Sequence, residues 1–267
     1  MVATLAHVSD LHIGQDAGTD ARAASLVRAL AAAGVDRVLV SGDVTHRGRR
    51  DELLAFERTF APLRSRLVVV PGNHDRLGDD VARDLMPGPR VQAERSPGLL
   101  IVRLDSTAAH NRRWVSSHGE LSRRDLAEVV SAVEAAPADT LVVLLLHHHL
   151  LPLPEDHLLE QVASFLGWPN AEELALGAEL LERLAGRCDL VLHGHRHRAS
   201  ATAFPAATGR PLHVLNAGSS PRLGKIRLLA HDAGRVVATR WLEAVPARAA
   251  SGWAIARSLR SRRQKLA

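Results

Sequence analysis

Five short blocks of this chain carry side chains able to ligate metals or move protons. They are Asp10-Leu11-His12, Gly42-Asp43, Gly72-Asn73-His74-Asp75, His147-His148-His149 and Gly194-His195-Arg196-His197. Carboxylate, imidazole and amide oxygen ligands suit Mn, Fe or Zn rather than Ca or a thiolate-selecting metal. Asp10, His12, Asp43, Asn73, His147, His195 and His197 are too many ligands for one ion and enough for two, with one carboxylate bridging. Each block alone has an ordinary explanation. Asp10 could cap a helix, Asp43 could sit in a turn, and His195 and His197 could be strand-end histidines. Their joint occurrence is what points to a site. The i, i+2 spacing of Asp10 and His12 puts both side chains on one side if that segment is extended.

These blocks follow apolar runs that read as strands. Thr4 to Val8 leads to Asp10, Val38-Leu39-Val40 to Asp43, and Leu67-Val68-Val69-Val70 to Pro71-Gly72-Asn73. Leu141 to Leu146 leads to His147, and Leu190-Val191-Leu192 to His193-Gly194-His195. Helical spacing marks Ala21 to Ala33 (stopped by Gly34), Asp51 to Leu63, Leu121 to Ala135 and Ala171 to Leu184. The β-α-β-α-β order predicts parallel strands with helical crossovers. Ligands then gather at the carboxyl edge of the sheet, where open α/β sheets bind them. Leu99 to Leu104 is a further strand, and Leu212 is followed by another, His213-Val214-Leu215, that ends at Asn216-Ala217-Gly218-Ser219. Ile226 to Ala230 and Val236 to Trp241 predict a closing hairpin turning at Ala233-Gly234.

The chain has 267 residues, 46% of them hydrophobic, enough for one sizeable α/β domain over residues 1–245. Its formal charge of +5 comes from arginine, since Lys225 and Lys265 are the only lysines. That balance suits an anionic substrate. The single Cys188 excludes an intramolecular disulfide framework and fits a reducing compartment. Met1 runs directly into a strand with no leader pattern, and no apolar run reaches bilayer length, so the expected location is the cytoplasm. Residues 150–187 are leucine-rich and broken by Pro152, Pro154 and Pro169, which predicts a helical cap or a homodimer contact. Residues 246–267 form a basic tail.

The order D-x-H, G-D, G-N-H-D, H, G-H-x-H resembles the calcineurin-like metallophosphoesterase family over roughly residues 4–220. The resemblance implies a four-layer αββα sandwich with two mixed sheets flanked by helices. It assigns Asp10, His12 and His197 to one metal, Asn73, His147 and His195 to a second, and Asp43 to both. It implies that His74 protonates the leaving oxygen, that Asp75 orients the His74 imidazole, and that a hydroxide bridging the metals attacks phosphorus. His148 stands one residue from the ligand position and is a candidate substrate contact, and His193 reads as a residue behind the site. Arg47 sits where related phosphatases place a phosphate-contacting arginine, although His46 replaces the aspartate before it. Asn216-Ala217-Gly218-Ser219 resembles the family's closing turn.

Within the family, Ser9-Asp10-Leu11-His12, Gly42-Asp43-Val44-Thr45 and Leu104-Asp105-Ser106-Thr107 resemble the class III cyclic-nucleotide phosphodiesterases. The expected substrate is a small anionic phosphodiester, of nucleotide type. The leucine-rich stretch leaves a lipid-linked pyrophosphate open, and the basic tail leaves nucleic acid open. A non-catalytic metal-binding scaffold would have no use for the proton donor His74.

Overall fold

A computed structural model describes residues 2–113, 116–150, 174–205 and 209–244. In chain order the first strands are β1 (Ala3–Val8), β2 (Arg37–Ser41), β3 (Leu67–Val70), β4 (Val91–Ser96), β5 (Leu99–Leu104) and β6 (Leu141–Leu145). They are followed by β7 (Leu190–His193), β8 (Ala199–Phe204), β9 (Leu212–Ala217), β10 (Lys225–Asp232) and β11 (Arg235–Glu243). The helices are α1 (Ala17–Ala33), α2 (Arg50–Phe60), α3 (Ala82–Leu85), α4 (Arg123–Glu134), α5 (Gly177–Leu184) and α6 (Ser220–Leu223).

The strands form two mixed sheets, ordered β11-β10-β1-β2-β3 and β4-β5-β6-β7-β9-β8. In the first sheet β1, β2 and the edge strand β3 run parallel, and the late hairpin β10–β11 adds antiparallel to β1. In the second sheet β4 and β8 are antiparallel edges around parallel β5, β6, β7 and β9.

Alternation along the strands builds the layers, because successive side chains leave opposite faces. Leu5, Leu39, Val68 and Val70 of the first sheet pack with Leu141, Val143, Leu190 and Leu192 of the second in one core between the sheets. Ala6, Val8, Val38 and Val40 pack outward against Leu26, Leu30, Phe56 and Phe60 of α1 and α2. Val142, Leu144 and Val191 do the same against Val129, Val133 and Leu180 of α4 and α5. Three cores between four layers give the helix–sheet–sheet–helix sandwich implied by the resemblance.

Helix boundaries differ from the expectations for identifiable reasons. α1 starts four residues earlier than predicted, because Asp16 caps it by accepting from the Thr19 amide at 2.8 Å. Gly34, at φ 62°, ends it as expected. α2 ends at Phe60, and residues Ala61–Arg66 continue as a 3-10 helix. Pro62 has no amide hydrogen for an α-helical bond, so the chain tightens there. β4 and β8 escape the sequence reading because, as edge strands, they carry polar, partly exposed patterns without an apolar run. The cap expected over 150–187 is described only at Leu150 and from Leu174 onward. The rest of it and the basic tail lie outside the described residues. Among the described residues no helix is long and apolar enough to cross a membrane.

Candidate metal centre

All five blocks meet at the carboxyl edges of β1, β2, β3, β6 and β7, where the two sheets face each other. Two groups of ligand atoms form there. Asp10, His12, Asp43 and His197 make one, with His12 Nε2 3.0 Å from His197 Nε2 and His197 Nε2 3.3 Å from Asp10 Oδ1. In the other, Asn73 Oδ1 lies 3.1 Å from both His147 Nε2 and His195 Nδ1. Asp43 Oδ2 lies between the groups, 3.8 Å from His12 Nε2 and 3.4 Å from His147 Nε2.

The site fits cations on its own chemistry. Asp10 Oδ2 is buried without a hydrogen-bond partner, an expensive state for a carboxylate oxygen unless a cation satisfies it. Burial, set against the Asp43 and Asp10 carboxylates, lowers His12 to about 4, and burial holds His195 well below its ordinary value. Both imidazoles are therefore neutral at pH 7, as ligation requires.

Backbone strain is concentrated in the same residues. Asp10, His12, Asp43, His195 and His197 all adopt left-handed conformations, with φ of 53°, 47°, 48°, 75° and 52°. Such conformations cost of order ~1–3 kcal/mol each and persist where the surroundings enforce them. The Asp10–His12 segment is therefore not extended, contrary to the spacing argument. Its amides instead follow the β2 loop, Asp10 N donating to Gly42 O at 3.1 Å and His12 N to Asp43 O at 3.0 Å. Two glycines permit this crowding. A Cβ on Gly42 (φ 88°) would lie 2.5 Å from His147 Nδ1, and one on Gly194 would strike Ser9 and the Asp10 carboxylate.

Hydrogen-bond partners distinguish His147 from His148. His147 Nδ1 donates to Ser41 O at 2.8 Å, which leaves the Nε2 lone pair facing Asn73 and Asp43. The His148 ring also lies close to those of His147 and His195, but both of its nitrogens are engaged elsewhere. Its Nε2 donates to Ser117 O at 3.0 Å, and its Nδ1 meets the Ser106 hydroxyl at 2.9 Å. Ser106 Oγ also accepts the amides of His147 and His148, at 3.3 and 3.2 Å, so this one hydroxyl seats the whole turn. His148 thus holds the Ser117 carbonyl beside the cleft. His193, 2% exposed, lies behind the site against Asn216.

Two further assignments change. Asp75 does not touch the His74 ring. Its carboxylate accepts from Gly72 N, Val44 N, Thr45 N and Thr45 Oγ1 at 2.9, 3.2, 2.8 and 2.6 Å, tying the β2 and β3 loops together. The His46 carbonyl orients His74 instead, 2.7 Å from Nδ1. Because a backbone oxygen does this, His46 can replace an aspartate without loosening the ring. Arg47 is exposed and borders neither cleft at the site; its amide donates to Glu52 at 2.8 Å.

The centre opens into two clefts. One, about 310 Å³, is bordered by Asp43, Asn73, Ser117, His195 and Arg196. The other, about 220 Å³, is bordered by Gln15, Thr19, Arg22, His46 and Arg222. His74 and His197 border both. Sequence reasoning missed Ser106, Ser117, Arg196, Arg22 and Arg222. Arg196 was legible as the variable residue of Gly-His-Arg-His, and Ser106 as a hydroxyl at the end of β5.

Burial disfavours a charged His147, yet the adjacent Asp43 carboxylate carries its pKa up to about 9 in the metal-free protein. A histidine raised in this way stabilises the fold fully below its ordinary value of 6.5, and the contribution is lost as pH rises through about 9. Metal binding requires the neutral ring and removes this dependence. The melting temperature of the metal-free protein is therefore expected to fall between pH 6.5 and 9, while the Mn-loaded protein changes less. A gap between the two that stays constant across that range would refute the Asp43–His147 pairing.

Known proteins resemble this chain in sequence and in fold. A probable glycerophosphodiester phosphodiesterase GpdQ of Arcobacter nitrofigilis is 27% identical over 179 residues, covering 63% of this chain and 59% of that protein. A probable cyclic nucleotide phosphodiesterase of Vesicomyosocius okutanii is 27% identical over 77 residues, 27% of this chain and 33% of that protein. The chain thus spans between a third and three fifths of the length of these curated relatives. Among solved structures, a dimetal phosphatase from Danio rerio superposes with a TM-score of 0.58 at 14% identity, covering 91% of this chain and 99% of that one. TT1561 of Thermus thermophilus gives 0.55 at 14%, covering 92% and 100%, and both show the same fold. The calcineurin-like phosphoesterase pattern matches residues 3–199, and with the blocks of that pattern gathered around one metal-binding edge, the chain belongs to the calcineurin-like phosphoesterase family.

Proposed function

We propose that this protein is a dinuclear-metal phosphodiesterase, with cyclic nucleotides as its favoured substrate class. The observation that carries the reading is the pair of clefts meeting at His74 and His197. A phosphodiester has two organic arms, and a centre open on both sides accommodates one in each, whereas a monoester needs only one. The names of the two curated relatives support the diester class.

Asp10, His12 and His197 would hold one ion and Asn73, His147 and His195 the other, with Asp43 shared. Mn, Fe and Zn all match these donors. When bound, the ions supply Lewis acidity, a water of lowered pKa and neutralisation of phosphoryl charge. The chain itself supplies the remaining functions. Ser41, Ser106 and Asp75 hold the loops, and the Asp43 carboxylate accepts the His74 amide at 2.9 Å. Nδ1–H of His74 is held on the His46 carbonyl, so Nε2 can hand a proton to the leaving oxygen only from the ring that carries both protons, and is left as a bare nitrogen afterwards.

The test is hydrolysis with Mn²⁺ of bis-p-nitrophenyl phosphate against p-nitrophenyl phosphate, followed by 2′,3′- and 3′,5′-cyclic nucleotides. The expected diester preference is at least about tenfold in kcat/KM, or about 1.4 kcal/mol. A preference for the monoester would overturn the proposal. Diester cleavage with no turnover of cyclic nucleotides would transfer the assignment to a lipid-linked or nucleic-acid substrate.

A further inference from the structure

We propose that the cleft beside α1 is a subsite for a second anionic group, so that the preferred diester carries a phosphate or carboxylate on one arm. This rests on the diesterase reading above, and within it favours a diester with a second anionic group over a simple cyclic nucleotide, which has only one phosphate.

The two walls of this cleft come from distant parts of the chain. α1 and α6 pack against each other and bring Arg22 and Arg222 to the same opening, next to His46 and His74. Arg22 donates to Thr19 Oγ1 at 3.0 Å, which fixes it beside the first turn of α1. Arg222 makes no ion pair among the described residues. The acid on the lining is Asp16, and it is already engaged as the helix cap. It accepts the Thr19 amide and hydroxyl at 2.8 and 3.0 Å, and these bonds lower its pKa. On this lining two guanidinium groups, Arg22 and Arg222, therefore stand with one carboxylate, Asp16, which is already committed as the cap.

The single charge of a phosphodiester would be met by metals at the candidate ligands, leaving these two guanidinium groups unanswered. An anionic substituent on the arm that enters the cleft answers them with charge-assisted hydrogen bonds, for which guanidinium forks are well shaped. The opposite cleft, with Ser117 and Arg196, presents one such group beside the metal ligands Asn73 and His195. The asymmetry assigns the charged arm to the α1 side.

The matched probes are thymidine 3′,5′-bisphosphate and thymidine 5′-monophosphate, which differ only in the second phosphate. Their affinities for the Mn²⁺-loaded protein are measured by titration calorimetry. The bisphosphate is expected to bind about tenfold more tightly, and the double variant Arg22→Ala/Arg222→Ala to bring the two ligands within about twofold. Arg196→Ala, on the far side of the centre, is expected to keep the preference. Equal affinities for the unaltered protein, a preference that survives the double substitution, or one abolished by Arg196→Ala overturns the subsite. Binding is read without turnover. Discrimination in a protein that cleaves no diester would remove the diesterase reading and keep the subsite, while diester cleavage with equal affinities would do the reverse.

Discussion

Asp43→Ala is expected to leave the protein with fewer than two bound metals and to lower diester kcat by at least about a thousandfold. Among the described residues, Asp43 is the carboxylate that faces both ligand groups, with Oδ2 3.8 Å from His12 Nε2 and 3.4 Å from His147 Nε2. It is 1% exposed, so no water-filled gap substitutes for it. Truncation also frees the His74 amide, which Asp43 Oδ1 accepts at 2.9 Å. One substitution therefore removes the shared anion and the brace on the proton donor. Elemental analysis after gel filtration reports metal per chain, and steady-state hydrolysis of bis-p-nitrophenyl phosphate reports kcat. Asp43→Asn should keep the brace and recover little metal, because an amide lacks the charge that two cations require. A variant with both metals and undiminished turnover would sink the assignment of Asp43 as the shared ligand.

His74→Ala separates chemistry from metal binding. It should keep the metal content of the unaltered protein and lose about 10²–10⁴-fold in kcat. His74 contacts the centre through its ring orientation, set by the His46 carbonyl at 2.7 Å, and its neighbours Asn73 and Asp43 carry the ligand atoms. A role as proton donor makes a specific further demand. Esters with a poor leaving alcohol need the proton more than esters of p-nitrophenol do. The loss must therefore be larger for a methyl or nucleoside leaving group than for p-nitrophenolate. A loss independent of the leaving group would make His74 a positioning residue instead.

Much of the site was legible because its chemistry lies in residue types at strand ends. A strand stopping at Ser-Gly-Asp or Pro-Gly-Asn-His-Asp is recognisable without coordinates. The limits of that legibility follow from which contacts are local. His147 and His148 are indistinguishable by type and almost so by position; their roles diverge only because Ser41 O and Ser106 Oγ, from β2 and the β5 end, meet different ring nitrogens. Asp75 adjoins His74 in sequence, yet its carboxylate turns to Thr45 and Val44. A short side chain at the start of a 3-10 turn reaches the loop behind it more readily than a ring facing outward. Arg47 matched a family spacing but is exposed away from both clefts.

By itself, the sequence determined the alternation of strands and helices, the family resemblance and the residue types that can bind two metals. These properties depend on periodicity and on chemistry carried by single side chains. The tertiary structure decided the division of strands between two sheets, the hydrogen-bond partners of the site histidines, the left-handed backbone at five candidate ligands and the two clefts that share His74. Those depend on which backbone carbonyls and hydroxyls approach from residues far away in the chain, and no local pattern records that approach.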